Sequence, residues 1–511
     1  MKPLHLKNAR ICDGSGRSPV RGEVFVSGGR IRAVGPSLPG DPGAEEIDLG
    51  GSFLLPGFID VHTHSEAALV NGSFREEAVL QGVTTEICGN CGIGLAPLTG
   101  TKREYLYLAR SVTGMPDEDV PTGGIGALLH ARKAYGTNFA VLAAHSPLRA
   151  EATGFGDEEM TPEGMERMRS LLRTAFREGA CGFSTGLAYY PAAFCATWEI
   201  TELCRVAGEF GLPFCIHQRS VANRYFPEGL HPLEEAFRIA EESGVHLQLS
   251  HYKTRRGSLG RTAELLEPVE DGLQRGISVT ADFYPYPVGC GSVAVVLPLW
   301  VMDGGFKAAL ARLRDPALTS RIASDIAAAY PGAGEYTFTH APAHPDWVDR
   351  RFSDMAGKQG VSVQEMLVRF LAEEELDGGY MPLEREQIET DRRFDGDFAE
   401  LLRKEYYMVG SDTLPTHMHP HPRSDGAFTR TLEIARTHGI PPEMIARRLA
   451  GRPAEVFRLG DRGGISPGRW ADLILLDGEY RVRDVWINGT GVVRDGACLH
   501  RLAGMPAVPV L

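Results

Sequence analysis

The chain has 511 residues, room for about three domains of ~150 residues or for one large unit with additions. Hydrophobic residues make up 43% and charged residues 23%, an ordinary globular balance that excludes a disordered chain or a small stapled scaffold. Lys and Arg total 53 against 66 Asp and Glu, and the net charge of −13 argues against a nucleic-acid groove or an anionic membrane surface and for a small-molecule partner.

Met1 to Gly14 contains no apolar core of a secretion signal, and the longest apolar stretch, around Ser292 to Met302, is too short to span a bilayer. Nine cysteines are an odd number at irregular spacing, which reads as reduced thiols rather than a disulfide framework. A soluble cytoplasmic protein is the expectation. Residues 1–55 are short polar–apolar runs broken by Gly and Pro, such as Gly22-Glu-Val-Phe-Val-Ser-Gly and Arg30-Ile-Arg-Ala-Val-Gly. The same texture returns in Ala471-Asp-Leu-Ile-Leu-Leu-Asp and Asp484-Val-Trp-Ile-Asn-Gly. These predict a small β-sandwich domain built from both termini, 1–55 plus 455–511.

Residues 56–454 alternate strand-like runs with amphipathic helices, the pattern of a parallel sheet. Thr161 as N-cap, Pro162 at N1 and apolar residues Met165, Met168, Leu171, Leu172, Ala175 and Phe176 predict one helix that stops near Gly179. Eight apolar runs end abruptly in polar residues: 58–61, 84–87, 139–144, 180–183, 213–216, 246–250, 277–281 and 406–409. Eight such units predict an α/β fold, the (β/α)8 TIM barrel, whose chemistry sits at the C-terminal strand ends. The long gap after the seventh run predicts an inserted subdomain at about 288–354.

Those strand ends carry the candidate residues. Asp60-Val-His62-Thr-His64 follows the first run, and two His one residue apart on an extended segment project to the same side. Cys88-Gly-Asn-Cys91 follows the second; it suits a redox pair, half a zinc ribbon lacking its other half, a pair of small buried residues, or a single thiolate at Cys91. His217 closes the fifth run and His251 the sixth, each able to be a ligand or a hydrogen-bonded core residue. Asp412 follows Met408-Val-Gly-Ser after the eighth, where a helix N-cap is the ordinary role for Ser-Asp. His417, His419 and His421 alternate with prolines 420 and 422, which favours an extended loop at the mouth over a separate metal clip.

The order Pro56-Gly-Phe-Ile-Asp-Val-His-Thr-His64, Gly89-Asn-Cys91-Gly, Gly182-Phe-Ser-Thr-Gly-Leu187, His217, Ser250-His251-Tyr-Lys253, Asp282-Phe-Tyr284-Pro-Tyr and Gly410-Ser-Asp412 resembles the amidohydrolase superfamily, in its D-aminoacylase (N-acyl-D-amino-acid deacylase) branch. Gly463-Gly-Ile-Ser-Pro-Gly-Arg-Trp-Ala-Asp472 extends the likeness to the C-terminal domain. The resemblance implies zinc, with Cys91, His217 and His251 holding a tight ion and His62, His64 and Asp412 framing a weaker position. Many members bridge two metals with a carboxylated lysine at strand four. This chain has Ala180-Cys-Gly-Phe-Ser there, so Cys91 would take that place. Asp412 would be the catalytic acid–base. Lys253, Tyr284 and Arg423 would meet a substrate α-carboxylate, with Tyr189 lining the side-chain pocket.

Two segments depart from the family pattern, Ser65-Glu66 after the His-x-His and Gln218-Arg-Ser220 after the fifth run. The implied function is zinc-dependent hydrolysis of N-acyl-D-amino acids to a carboxylate and a free D-amino acid. The alternatives are a cyclic-amide hydrolase of dihydroorotase or hydantoinase type, disfavoured by the absent lysine, and a non-catalytic assembly protein, disfavoured by the full ligand set. No motif encodes the acyl group, the preferred side chain, the number of metals or the oligomeric state.

Overall fold

The computed structural model describes residues 2–99, 103–219 and 231–511. Eight short parallel strands follow one another in chain order: Phe58–Asp60, Val83–Cys88, a third in two pieces at Asn138–Val141 and Ala143–Ala144, Phe183–Gly186, Phe214–His217, Leu247–Leu249, Val279–Phe283 and Tyr407–Val409. Each pairs with the next, the seventh with the eighth included. The ring closes where Thr63 bridges Thr413 in parallel and the Asp412 N–H donates to His62 O at 2.7 Å. The fold is the (β/α)8 barrel that the eight runs predict.

Helices cover the outside and side chains fill the inside, so Val279–Phe283 is buried at every position. Ile59, Val61, Ile87, Leu142 and Met408 form one interior cluster with Ala454, Phe457 and Leu459 from the segment after the last barrel helices. The helix Pro162–Arg177 starts as its sequence predicts, with Thr161 Oγ1 accepting the Gly164 N–H at 3.1 Å. The strand after it sits three residues later than 180–183. Gly179, at φ 108°, follows the helix and the Ala180 N–H is spent on Ala175 O, so bonding to strand three begins only at the Cys181 N–H, and the regular strand at Phe183.

Strands from both ends of the chain make one nine-stranded sheet, joined where Phe53–Pro56 runs antiparallel to Leu473–Leu476. Leu4–Ile11 changes neighbour midway, from Glu45–Asp48 to Phe53–Leu54. The sheet thereby folds over a common core that includes Leu6, Ile11, Val26, Leu54, Leu475 and Trp486. Past Cys498 the chain leaves this sheet, and Gly504 and Ala507 hydrogen-bond with Tyr135 and Phe139 of the barrel.

Between the seventh and eighth barrel strands the chain builds a separate apolar core. Gly291–Ser292, Thr337–His340 and Gly379–Met381 form its three-stranded sheet. Its buried residues run from Val293 to Leu376, past the 354 end expected from sequence. The amphipathic helix Val363–Glu373 packs on Pro316–Ala329 within the insertion. Among the described residues no helix is long and apolar enough to cross a membrane.

Candidate metal centre and active site

The first barrel strand delivers His62 and His64 into the mouth. Asp60 anchors that end, its Oδ1 accepting the N–H groups of His62 at 3.2 Å and of Ser411 at 2.8 Å, which ties strand one to the segment after strand eight. Cys91 rides a tight turn in which Gly89, Cys91 and Gly92 take φ of 81°, 54° and 67°. A Cβ on Gly92 would lie 2.7 Å from Gly186 N, so glycine is what lets the turn sit against strand four. Ser184 Oγ accepts the Gly92 N–H at 3.1 Å, and buried Glu66 Oε1 accepts the Gly89 N–H at 2.5 Å.

Six candidate donors converge. Cys91 Sγ lies 3.7 Å from His217 Nδ1 and 3.8 Å from His251 Nε2, and those two nitrogens are 2.8 Å apart. On its other side Cys91 Sγ is 3.4 Å from His62 Nε2. Asp412 Oδ1 stands 3.5 Å from His62 Nε2 and 3.4 Å from His64 Nε2. Cys91, His251 and Asp412 all hold left-handed backbone, at φ 54°, 39° and 56°. Such non-glycine conformations cost ~1–3 kcal/mol each and gather where a site demands them.

The donor set fits zinc. Burial pushes His217 down to about 3 and His251 well below its usual value, so both rings present lone pairs. With Zn–S of ~2.3 Å and Zn–N of ~2.0–2.1 Å, a tetrahedral S···N edge is about 3.6 Å, close to the 3.7 and 3.8 Å found at Cys91. Burial would also keep His62 neutral, but Asp282, Cys91 and Asp412 outweigh it and favour positive charge there. Asp282 is the orienting group: its Oδ1 contacts His62 Nδ1 at 3.2 Å and accepts the His251 N–H at 2.8 Å, while Oδ2 takes Gln248 Nε2 at 2.9 Å.

The four residues expected to meet substrate line one cavity of about 360 Å³ with His217, His251 and Asp412. Tyr189 Oη is 3.3 Å from His217 Nδ1. Lys253 is buried, donates to Tyr286 O at 2.7 Å and lies 4.4 Å from the centre of the Tyr284 ring. Arg423 Nη1 reaches Asp412 Oδ2 at 2.7 Å, an ion-pair contact rather than an aligned hydrogen bond, and its guanidinium also lies over Tyr284. Burial alone would raise the Asp412 carboxyl, yet Arg423 and His62 hold it well below the usual carboxylate range.

The alternating histidines diverge: His417 contacts Thr339 Oγ1 and Ser111 O, His419 contacts Asp349, and His421 Nδ1 accepts the Arg423 N–H. Cys88 is buried against the Thr63 and Ser65 hydroxyls and faces away from the ligands. Ser220 falls outside the described residues. Asp282 and Glu66 stand in the quoted motifs without an assigned role; the polar ending of the seventh run is the local signal for Asp282. Tyr380, which lines the cavity from the insertion, has no such signal.

The amidohydrolase family matches residues 45–500, and the chain belongs to it. Among curated proteins it is 30% identical to D-aminoacylase of Alcaligenes xylosoxydans xylosoxydans, over 93% of this chain and 88% of that one. It is 27% identical to the N-acyl-D-glutamate deacylase of the same organism, over 93% and 87%. Among solved structures, the Bordetella bronchiseptica N-acyl-D-glutamate deacylase, crystallised with zinc and a phosphonate mimic of the tetrahedral intermediate, superposes with a TM-score of 0.78 at 26% identity and covers 99% of both chains.

Proposed function

We propose that the protein is a zinc-dependent hydrolase that cleaves the amide bond of N-acyl-D-amino acids to a carboxylate and a free D-amino acid. The observation that carries this reading is the convergence of Cys91, His217 and His251 on one point beside the Asp412–Arg423 pair. The relatives' names supply the substrate class and its D configuration. In this reading Cys91, His217 and His251 hold the tighter ion, and His62, His64 and Asp412 frame a second, weaker one. Cys91 Sγ lies between the two groups, 3.4 Å from His62 Nε2 and 3.7 and 3.8 Å from His217 Nδ1 and His251 Nε2, and would take the place that a strand-four lysine has in other family members. A cyclic-amide hydrolase would want a lysine at strand four, and 180–186 holds none.

When bound, zinc supplies polarisation of the scissile carbonyl and a nucleophilic water at neutral pH. The chain's own groups do the rest. Lys253, Tyr284 and Arg423 hold the α-carboxylate, and Tyr189 beside His217 bounds the side-chain pocket. Asp412 takes the proton of the attacking water and hands it to the leaving amine nitrogen. An incoming carboxylate shares the guanidinium that otherwise grips Asp412, so Arg423 serves both the substrate and the group that works on it. Nine free thiols suit a reducing, cytoplasmic setting.

Zinc analysis of the purified protein, paired with a panel of N-acetyl-D- and N-acetyl-L-amino acids, tests the reading. The expected result is zinc in the isolated protein and turnover of D over L forms. Turnover of cyclic amides alone, or full activity in zinc-free Cys91→Ala protein, would overturn it.

A further inference from the structure

A second cluster of metal-ligating side chains lies far from the barrel mouth. Glu76, Cys498 and His500 bring a carboxylate oxygen, a thiol and an imidazole nitrogen within 4.8 Å of one another. We propose that these three residues form a separate surface site for a borderline divalent cation of the zinc class, which clips the small β domain to the barrel. The inference is independent of the activity proposed above.

The cluster joins segments more than four hundred residues apart, and each is held by its own contacts. Glu76 follows Arg75, whose buried guanidinium forks onto Glu86, with Nε 3.1 Å from Oε1 and Nη2 2.8 Å from Oε2. Cys498 is paired opposite Val493 in the last hairpin of the small sheet. The His500 ring packs on Phe74 at 5.2 Å between centres. Past it, Gly504 hydrogen-bonds with Tyr135, so the chain is anchored on both sides of the histidine.

The chemistry selects the cation. The His500 backbone N–H donates to Cys498 Sγ at 3.4 Å, which holds the sulfur in the turn that carries His500. Sulfur, nitrogen and oxygen together suit zinc and disfavour Ca²⁺ or Mg²⁺, which take all-oxygen shells. Glu76 and His500 are exposed and Cys498 partly so, which leaves an open side for water as the remaining ligand. Metal analysis of the whole protein would then count one ion more than the barrel mouth holds.

The test is alkylation of the intact protein by iodoacetamide with Zn²⁺ or Mg²⁺ present, read at Cys498 by peptide mass mapping. Zn²⁺ should slow modification of Cys498 by at least about tenfold, because a coordinated thiolate no longer attacks, and Mg²⁺ should not. His500→Ala and Glu76→Gln should each remove most of that protection. Cys498→Ser should bind one equivalent of Zn²⁺ less than wild type in equilibrium dialysis while kcat stays unchanged. Equal alkylation with and without Zn²⁺ overturns the site. So does protection that survives both His500→Ala and Glu76→Gln, which would reduce the cluster to a lone thiol.

Discussion

The Asp412 carboxylate is shared at both oxygens, Oδ1 between His62 and His64 and Oδ2 with Arg423. Asp412→Asn keeps the shape and removes the base, so kcat should fall by at least ~10²-fold, the lower range for general acid–base work. Zinc content should stay near normal, since Cys91, His217 and His251 do not depend on it; an equal loss of zinc would make Asp412 chiefly a ligand. Arg423→Met should raise KM for N-acyl-amino acids and also lower kcat, because Asp412 loses its partner. Truncating a charge-assisted hydrogen bond costs ~1.5–3 kcal/mol, about 10- to 150-fold in kcat/KM. Comparing the acid substrate with its primary amide in wild type and variant isolates the carboxylate contact; a penalty equal for both substrates leaves Arg423 acting on Asp412 alone.

At the scale of elements, the Gly89–Gly92 turn and the helix Pro162–Arg177 make opposite predictions. The turn presents Cys91 and has no room for a Cβ at Gly92. Gly92→Ala should therefore lower zinc affinity and activity together, read as faster zinc loss to a chelator. Thr161→Ala removes the cap on the Gly164 N–H. It should cost ~0.5–2 kcal/mol in urea unfolding and leave kcat intact. Both changes remove or add a single small group, and their expected consequences differ because one element presents a proposed ligand while the other only supports the barrel wall.

For the whole molecule, the candidate ligands stand at the ends of strands one, two, five, six and eight, so a metal centre built from them would tie together most of the ring. Chelation should lower the unfolding temperature in proportion to the metal affinity it removes, since a ligand at 100 times its Kd contributes ~2.7 kcal/mol. Calorimetry with and without chelator checks this, and an unchanged Tm would mean that the barrel holds the donors in place without an ion. The insertion contributes differently: its own apolar core lets it stand as a unit, and Tyr380 is the side chain it lends to the cavity.

Much of this architecture is local in origin and so legible in the amino-acid sequence. A parallel strand buried on both faces must be a continuous apolar run, and its C-terminal end must turn polar where the barrel opens to solvent. His62, His64, Cys91, His217, His251 and Asp412 each follow such a run within a few residues, which is why six positions could be named before any contact was known. The boundary errors have local causes too, such as Ala180 closing a helix rather than opening a strand. What the tertiary structure decided are pairings between elements: Arg423 on Asp412, Asp282 behind His62, the divergence of His417, His419 and His421, Tyr380 entering from the insertion, and Glu76 meeting Cys498 and His500. These depend on how separately formed elements pack across tens to hundreds of residues, and no periodicity in a single segment records which surface it will meet.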